Sequence, residues 1–152
     1  MAWVNLYSGA SCHCAPLSGR DDGPQEGYIF YADPGPSNWQ FWTGSGSGWT
    51  NTSNGGVAQD EWTLLVGTYD RTAAGQGTKT LYVNNEAPVI QNNQGYQYNE
   101  QRPLRIGAGA NENVGGNYFW DGLIDEVGVF KEVLEPEKVE EIYSIGKTRK
   151  KS

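Results

Sequence analysis

The sequence predicts an all-β chain, an antiparallel β-sandwich or barrel with one short helix near its C-terminus. Three observations predict it. Short aromatic and β-branched segments recur along the chain, separated by turn residues drawn from 21 Gly and seven Pro. These segments follow one another without intervening helical patterns, which favours antiparallel pairing over a parallel α/β sheet. Apolar residues recur at helical spacing only after Pro136.

Each element follows from local composition. Ala2 to Tyr7 carries one polar residue and reads as a first strand. Tyr28-Ile29-Phe30-Tyr31 and Trp39-Gln40-Phe41-Trp42 are short aromatic strands bounded by Gly, Pro, Asp and Asn. Glu61 to Tyr69 is a longer, more buried strand, and Thr80 to Asn84 alternates cleanly. Asp70 to Gly77 joins these two, with Gly75 and Gly77 supplying turn backbone, so a hairpin is expected. Val89-Ile90 opens a further strand, and Leu104–Ala108 and Leu123–Phe130 complete the set. Asn54-Gly55 reads as a turn. Pro136 suits a first helical position, Val139, Ile142 and Tyr143 share a helical face, and Gly146 is the expected stop. This helix is expected to cap one end of the sandwich.

The 152 residues suit one domain, expected over residues 1–146 with a basic tail over 147–152. Six Trp, nine Tyr and four Phe in a polar background argue against disorder. No run approaches the ~20 apolar residues needed to span a bilayer, and no signal peptide opens this chain. Net charge is −7, with four of the 11 basic residues in the last six positions, so seven face 18 acidic ones elsewhere. Such a body repels nucleic-acid phosphates. It is compatible with Ca²⁺, which prefers oxygen ligands.

Several motifs carry little chemistry. Cys12 and Cys14 flank His13, the sole histidine. Three near-adjacent groups wrap a zinc ion poorly, so a loop with two thiols, or one disulfide to another chain or segment, competes with a metal site. Gly44-Ser45-Gly46-Ser47-Gly48 lacks the Lys and helix of a phosphate loop. Asn51-Thr52-Ser53 matches a glycosylation sequon, and a Ser-His-Asp triad would rest on His13 alone.

The segment from Tyr31 to Asn54 is more informative. It holds Trp39, Trp42 and Trp49 among serines and the amides Asn38, Gln40, Asn51 and Asn54. Sugar sites combine a flat aromatic ring with amide and carboxylate groups, so this composition points to carbohydrate. Strand alternation puts Trp39 and Phe41 on one face, Gln40 and Trp42 on the other. One face is core. The candidate ligand-binding residues are Trp42, Trp49, Gln40, Tyr31 and Asn54.

Glu61–Asp70, Leu81–Glu86, Pro103–Gly107, Trp120–Phe130 and Leu134–Tyr143, in that order, resemble the laminin-G-like jelly roll of the concanavalin A-like lectin/glucanase superfamily, the branch related to pentraxins. Gly122 fits the pattern by letting a strand enter close to its neighbour. The odd-numbered residues Val127 and Val129 are expected on one strand face, and Ile124, Glu126 and Gly128 on the other.

The resemblance implies a non-catalytic binding module that is extracellular or on the cell surface. It also implies a calcium site, with Asp21 and Asp22 in one loop and Asn111 and Glu112 in another. The superfamily includes glucanases, but a retaining hydrolase needs two carboxyl groups about 5–5.5 Å apart. Asp125 and Glu126 point to opposite strand faces, and Asp121 and Asp125 are on the order of 13 Å apart. No acid pair is visible there. The expected function is therefore carbohydrate binding, with or without calcium, and a protein-interaction or adhesion module is the alternative. Relatives usually begin a strand or two before the position of Trp3. A missing strand would expose an apolar edge, favouring a homo-oligomer or strand donation by a partner.

Overall fold

A computed structural model describes residues 1–10, 13–33, 38–72, 75–109 and 118–150. Among these, ten strands form two five-stranded antiparallel sheets. One, sheet A, runs β10 (Gly122–Asp125), β1 (Ala2–Leu6), β6 (Trp62–Arg71), β7 (Gln76–Val83) and β8 (Val89–Gly95). The other, sheet B, runs β5 (Trp49–Gly56), β4 (Asn38–Gly44), β3 (Gln25–Asp33), β2 (Cys14–Asp22) and β9 (Arg105–Ile106). The two face each other as a jelly-roll β-sandwich, as expected.

Alternation explains the core. Val4, Leu6, Leu65, Leu81 and Val83 of sheet A meet Leu17, Phe30, Ala32, Trp39 and Phe41 of sheet B, all buried. Each large side chain buried here stabilises the fold by roughly 1.5–3 kcal/mol. Phe30 and Phe41 stack at 4.9 Å between centroids. They fit because the facing position on β6 is Gly67, where a Cβ would stand 2.8 Å from both rings. Polar groups sit inside as well: Lys79 on β7 is fully buried beside the buried Thr43, and its ammonium donates to Thr43 Oγ1 (3.3 Å), Thr50 O (2.9 Å) and Thr50 Oγ1 (3.1 Å). Burial pushes its pKa down to about 8.

The two long edges of the sandwich are joined differently. On one side, Thr52 of β5 donates to Gln91 of β8 at 2.7 Å, and the Asn54 amide donates to Leu81 O and Ala87 O. On the other side the edge strands β9 and β10 are short, and Ile106, Leu123, Val129 and Phe130 are exposed.

The helix α1 (Pro136–Arg149) starts at Pro136, as its sequence implies, but differs twice from expectation. It lies across the outer face of sheet A instead of capping an end, because Trp3, Leu64 and Val66 make that face apolar and Val139, Ile142 and Tyr143 cover it. It also runs past Gly146 and takes Lys147 and Arg149 of the basic run into its last turn. Gly146 serves close packing: a Cβ there would collide with the Trp3 indole.

Other elements shift too. β2 and β5 occupy stretches that read as loop. β10 stops at Asp125, and Glu126 adopts φ 49°, so the alternation expected through Phe130 breaks there. Asn54-Gly55 lies inside β5 and is not a hairpin turn. The hairpin β6–β7 and the close approach at Gly122, where a Cβ would meet Asn5 O, are as expected. No described helix is long and apolar enough to cross a membrane.

Candidate functional site

The outer face of sheet B carries no helix and is built differently. The inward residues of β3 and β4 are Tyr28, Phe30, Ala32 and Trp39, Phe41, so alternation turns Ile29, Tyr31, Asp33 and Asn38, Gln40, Trp42 outward. Register aligns them: Tyr31 opposite Gln40, which is opposite Ser53, and Ile29 opposite Trp42, which is opposite Asn51. Trp49 follows on β5 across from Gly44, and Ser18, Arg20 and Asp22 share the same face on β2.

Hydrogen bonds link these side chains into two chains of contact. Trp42 Nε1 donates to Gln40 Oε1 at 2.7 Å, and Gln40 Nε2 donates to Asp33 Oδ2 (3.0 Å) and Asn38 Oδ1 (3.3 Å). Arg20 donates to the Tyr31 hydroxyl at 2.8 Å and to Asp22 at 2.5 Å. Its guanidinium also lies 5.3 Å from the Trp49 ring centroid and 5.7 Å from that of Tyr118, within cation–π range. Tyr118 reaches this face because Ala15 N donates to Tyr118 O at 2.9 Å. Tyr31 is the hub, with Trp42 edge-on at 6.2 Å, Tyr118 at 5.7 Å and His13 at 4.1 Å.

Two polar atoms in this cradle are unused. Arg20 Nε and His13 Nε2 are buried and have no hydrogen-bond partner among the described residues. Burial holds the His13 pKa below its ordinary 6.5, against the opposing pull of Asp33 and a hydrogen bond to Gln40. The imidazole is therefore neutral at pH 7, with one nitrogen a donor and the other an acceptor. An unsatisfied buried polar atom costs about 1–3 kcal/mol, a cost that a ligand recovers only when the side chains covering both atoms move aside.

Four candidates predicted from sequence, Tyr31, Gln40, Trp42 and Trp49, converge here. Asn54 does not join them. It stands on the inner face of β5 and spends its amide on Leu81 O and Ala87 O. Sequence reasoning missed Arg20, Asp33 and Tyr118, and it considered His13 only for zinc or a triad. Asp33 carries a usable signal, because it stands two residues after the outward Tyr31 on the same strand. Cys14 is held in a disulfide, which removes its thiolate from any zinc site.

The calcium expectation meets a mixed setting. Asp21 Oδ2 accepts from Arg102 Nε at 3.0 Å and its Oδ1 from Gly23 N at 3.2 Å, while Asp22 is paired with Arg20. These contacts hold the Asp21 carboxyl below its ordinary pKa. As adjacent strand residues, the two point to opposite faces. This half of the set does not fit a calcium ion, since binding one requires displacing two guanidinium groups. Asn111 and Glu112 lie outside the described residues. No group of three or more His, Cys, Asp or Glu side chains converges among the described residues.

The acids weighed for hydrolysis lie elsewhere, on the edge of sheet A. Asp125 pairs with Lys150, and Glu126 with Arg149 at 3.7 Å. In comparison with known families, a laminin-G model described as the Concanavalin A-like lectin/glucanases superfamily matches residues 1–140. A search of curated proteins gives no match.

Proposed function

The chain belongs to the concanavalin A-like lectin/glucanase superfamily, in its laminin-G branch, and from that premise we propose that it is a non-catalytic carbohydrate-binding module reading its ligand on the outer face of sheet B. The observation that carries this reading is the pair of unpartnered buried atoms, Arg20 Nε and His13 Nε2, inside a cradle of Tyr31, Trp42, Trp49 and Tyr118. A sugar hydroxyl both donates and accepts. It can take the Arg20 N–H and give its own proton to His13, while the sugar's apolar face rests on an indole. The carboxylates of the cradle support binding without bond cleavage, since Asp22 is engaged by Arg20 and Asp33 by Gln40. The disulfide at Cys14 supports an extracellular or cell-surface location, where such bonds persist.

A glycan array probed with the 152-residue chain tests the reading, first with calcium and then with chelator. Binding of a defined glycan class that survives chelation is expected. Loss of binding on chelation would restore the calcium expectation at Asp21 and Asp22. Release of reducing sugar from any bound glycan would overturn the non-catalytic assignment. The protein-interaction reading draws on a different region, the exposed apolar residues beside β9 and β10.

A further inference from the structure

The chain contains an Asn-x-Ser/Thr triplet once, at Asn51-Thr52-Ser53. It falls in β5, the strand that ends sheet B. Thr52 is buried and donates inward to Gln91, so Asn51 and Ser53 stand on the outer face by alternation. Asn51 is exposed, and its Nδ2 donates to Ser53 Oγ at 3.4 Å. Two indoles flank it. Trp42 is its register partner on β4, a placement that brings Cβ atoms to about 4.5–5.5 Å. Trp49 precedes it by two residues on β5, roughly 7 Å along the same face. Both indoles are half-buried, and the Trp42 N–H is spent on Gln40, so what this indole has left to offer a sugar is its ring.

We propose that Asn51 is a glycan attachment site whose first sugar rests between Trp42 and Trp49, so that the attached glycan covers the ligand face in cis. The attachment rests on the extracellular location proposed above, and the covering rests on the carbohydrate-binding reading. The glycan donor is a lipid pyrophosphate-linked oligosaccharide, which a chain meets together with its transferase in a secretory compartment. Asn51 Nδ2 bonds to the anomeric carbon, and the bond from that carbon to the pyrophosphate oxygen breaks. The lipid pyrophosphate leaves with the electron pair, and the amide passes one proton to a base of the transferase. The other amide proton stays on Nδ2 and keeps the contact with Ser53, so attachment costs the strand no hydrogen bond. What sets Asn51 apart from a chance triplet is its surroundings. An N-linked pyranose has an apolar face, and here a ring waits on the neighbouring strand and another on its own. A tethered sugar also faces these indoles at high effective concentration, so weak stacking is enough to hold it there against free ligand. The glycan-bearing chain is thus the closed form of the module and the bare chain its open form.

The test secretes the 152-residue chain from eukaryotic cells and measures its intact mass before and after a peptide N-glycoamidase. One removable glycan is expected, absent from Asn51→Gln and Ser53→Ala and retained in Ser53→Thr. The same chain made in a host without the transferase supplies the bare form. The bare form is expected to melt roughly 3 °C lower, for want of the stacking contacts. Trp49→Ala should remove that difference, and Trp49→Phe, which keeps a ring, should keep part of it. On the glycan array the bare form is expected to bind about tenfold more tightly than the glycosylated one. A secreted chain without a glycan would overturn the proposal, whatever the array shows. So would a Tm difference that Trp49→Ala leaves intact, or equal array binding by the two forms. Array silence from both forms would overturn the carbohydrate-binding reading and the covering with it, while mass and Tm still decide the attachment and its indole contacts.

Discussion

The two outer faces of the sandwich obey the same alternation and end in opposite states. On sheet A the outward residues Trp3, Leu64 and Val66 are apolar apart from the Trp3 indole N–H, and a helix covers them. On sheet B the outward residues are Arg20, Tyr31, Asp33, Gln40, Trp42 and Trp49, which hydrogen-bond and stack among themselves and need no helix. Side-chain chemistry, and not strand geometry, decides which face is covered by the helix and which is filled by its own aromatic and polar side chains. The contrast can be broken from either side.

The largest effect is expected where the helix meets sheet A. Gly146→Leu forces a side chain into the Trp3 indole, and overpacking at this rigid contact is expected to cost about 3 kcal/mol, read by urea denaturation. Sugar binding on the opposite sheet should survive wherever the protein remains folded. Retained stability would show that the helix is not packed as described.

The interior shared by both faces comes next. Lys79→Met replaces a buried ammonium held only by neutral oxygens, and a gain of roughly 2–3 kcal/mol at pH 7 is expected. The sign follows from the lowered pKa. Between about 8 and the ordinary 10.5 the unfolded chain holds a proton that the native state has lost, so wild-type stability rises with pH across that window. The advantage of Lys79→Met is therefore full below pH 8 and gone above 10.5. Denaturation midpoints at pH 7 and 10.5 check this, and a constant difference would contradict it.

On sheet B the effect should move from stability to affinity. Trp49→Ala is expected to weaken glycan binding about 30-fold, as for a central aromatic contact, at a stability cost of about 1 kcal/mol. The smallest effect concerns His13. Its pKa is held below 6.5, so the acceptor nitrogen is available above that pH and lost as pH falls through the folded value. Affinity measured by calorimetry should fall severalfold toward pH 5, and His13→Asn, which cannot titrate, should flatten that dependence. A pH-independent wild type would remove His13 from the ligand contacts.

Much of this fold was legible because its core strands carry regular patterns. The aromatic alternation of Trp39-Gln40-Phe41-Trp42 separated core from cradle correctly, and the hairpin and helix start followed from Gly75 and Pro136. Two strands were illegible for physical reasons. β2 contains Pro16 and Gly19 and shifts register between Cys14 and Leu17, so its period is broken where Arg20 needed to be placed. β5 is an edge strand of polar residues whose pairing, rather than hydrophobicity, makes it a strand. With β2 and β5 unread, Arg20 could not be placed on the same face as Tyr31 and Trp49. The helix end was misread because Gly146 looks like a terminator from sequence and serves contact with Trp3 in the fold.

The hydrogen bond from Thr52 to Gln91 and the amide contacts of Asn54 lace the two layers together along a single seam. On the margin with the short β9 and β10 the link is a backbone hydrogen bond, Trp120 N to Gly107 O at 3.0 Å. Thermal breathing of such a sandwich resembles a book opening about its spine, with the largest excursions at the fore-edge and the smallest beside Lys79. Fleeting exposure of the inner pages then begins near Leu17, whose strand β2 lies beside β9, and proteolytic nicking or misassociation would enter from that margin long before the spine gives way.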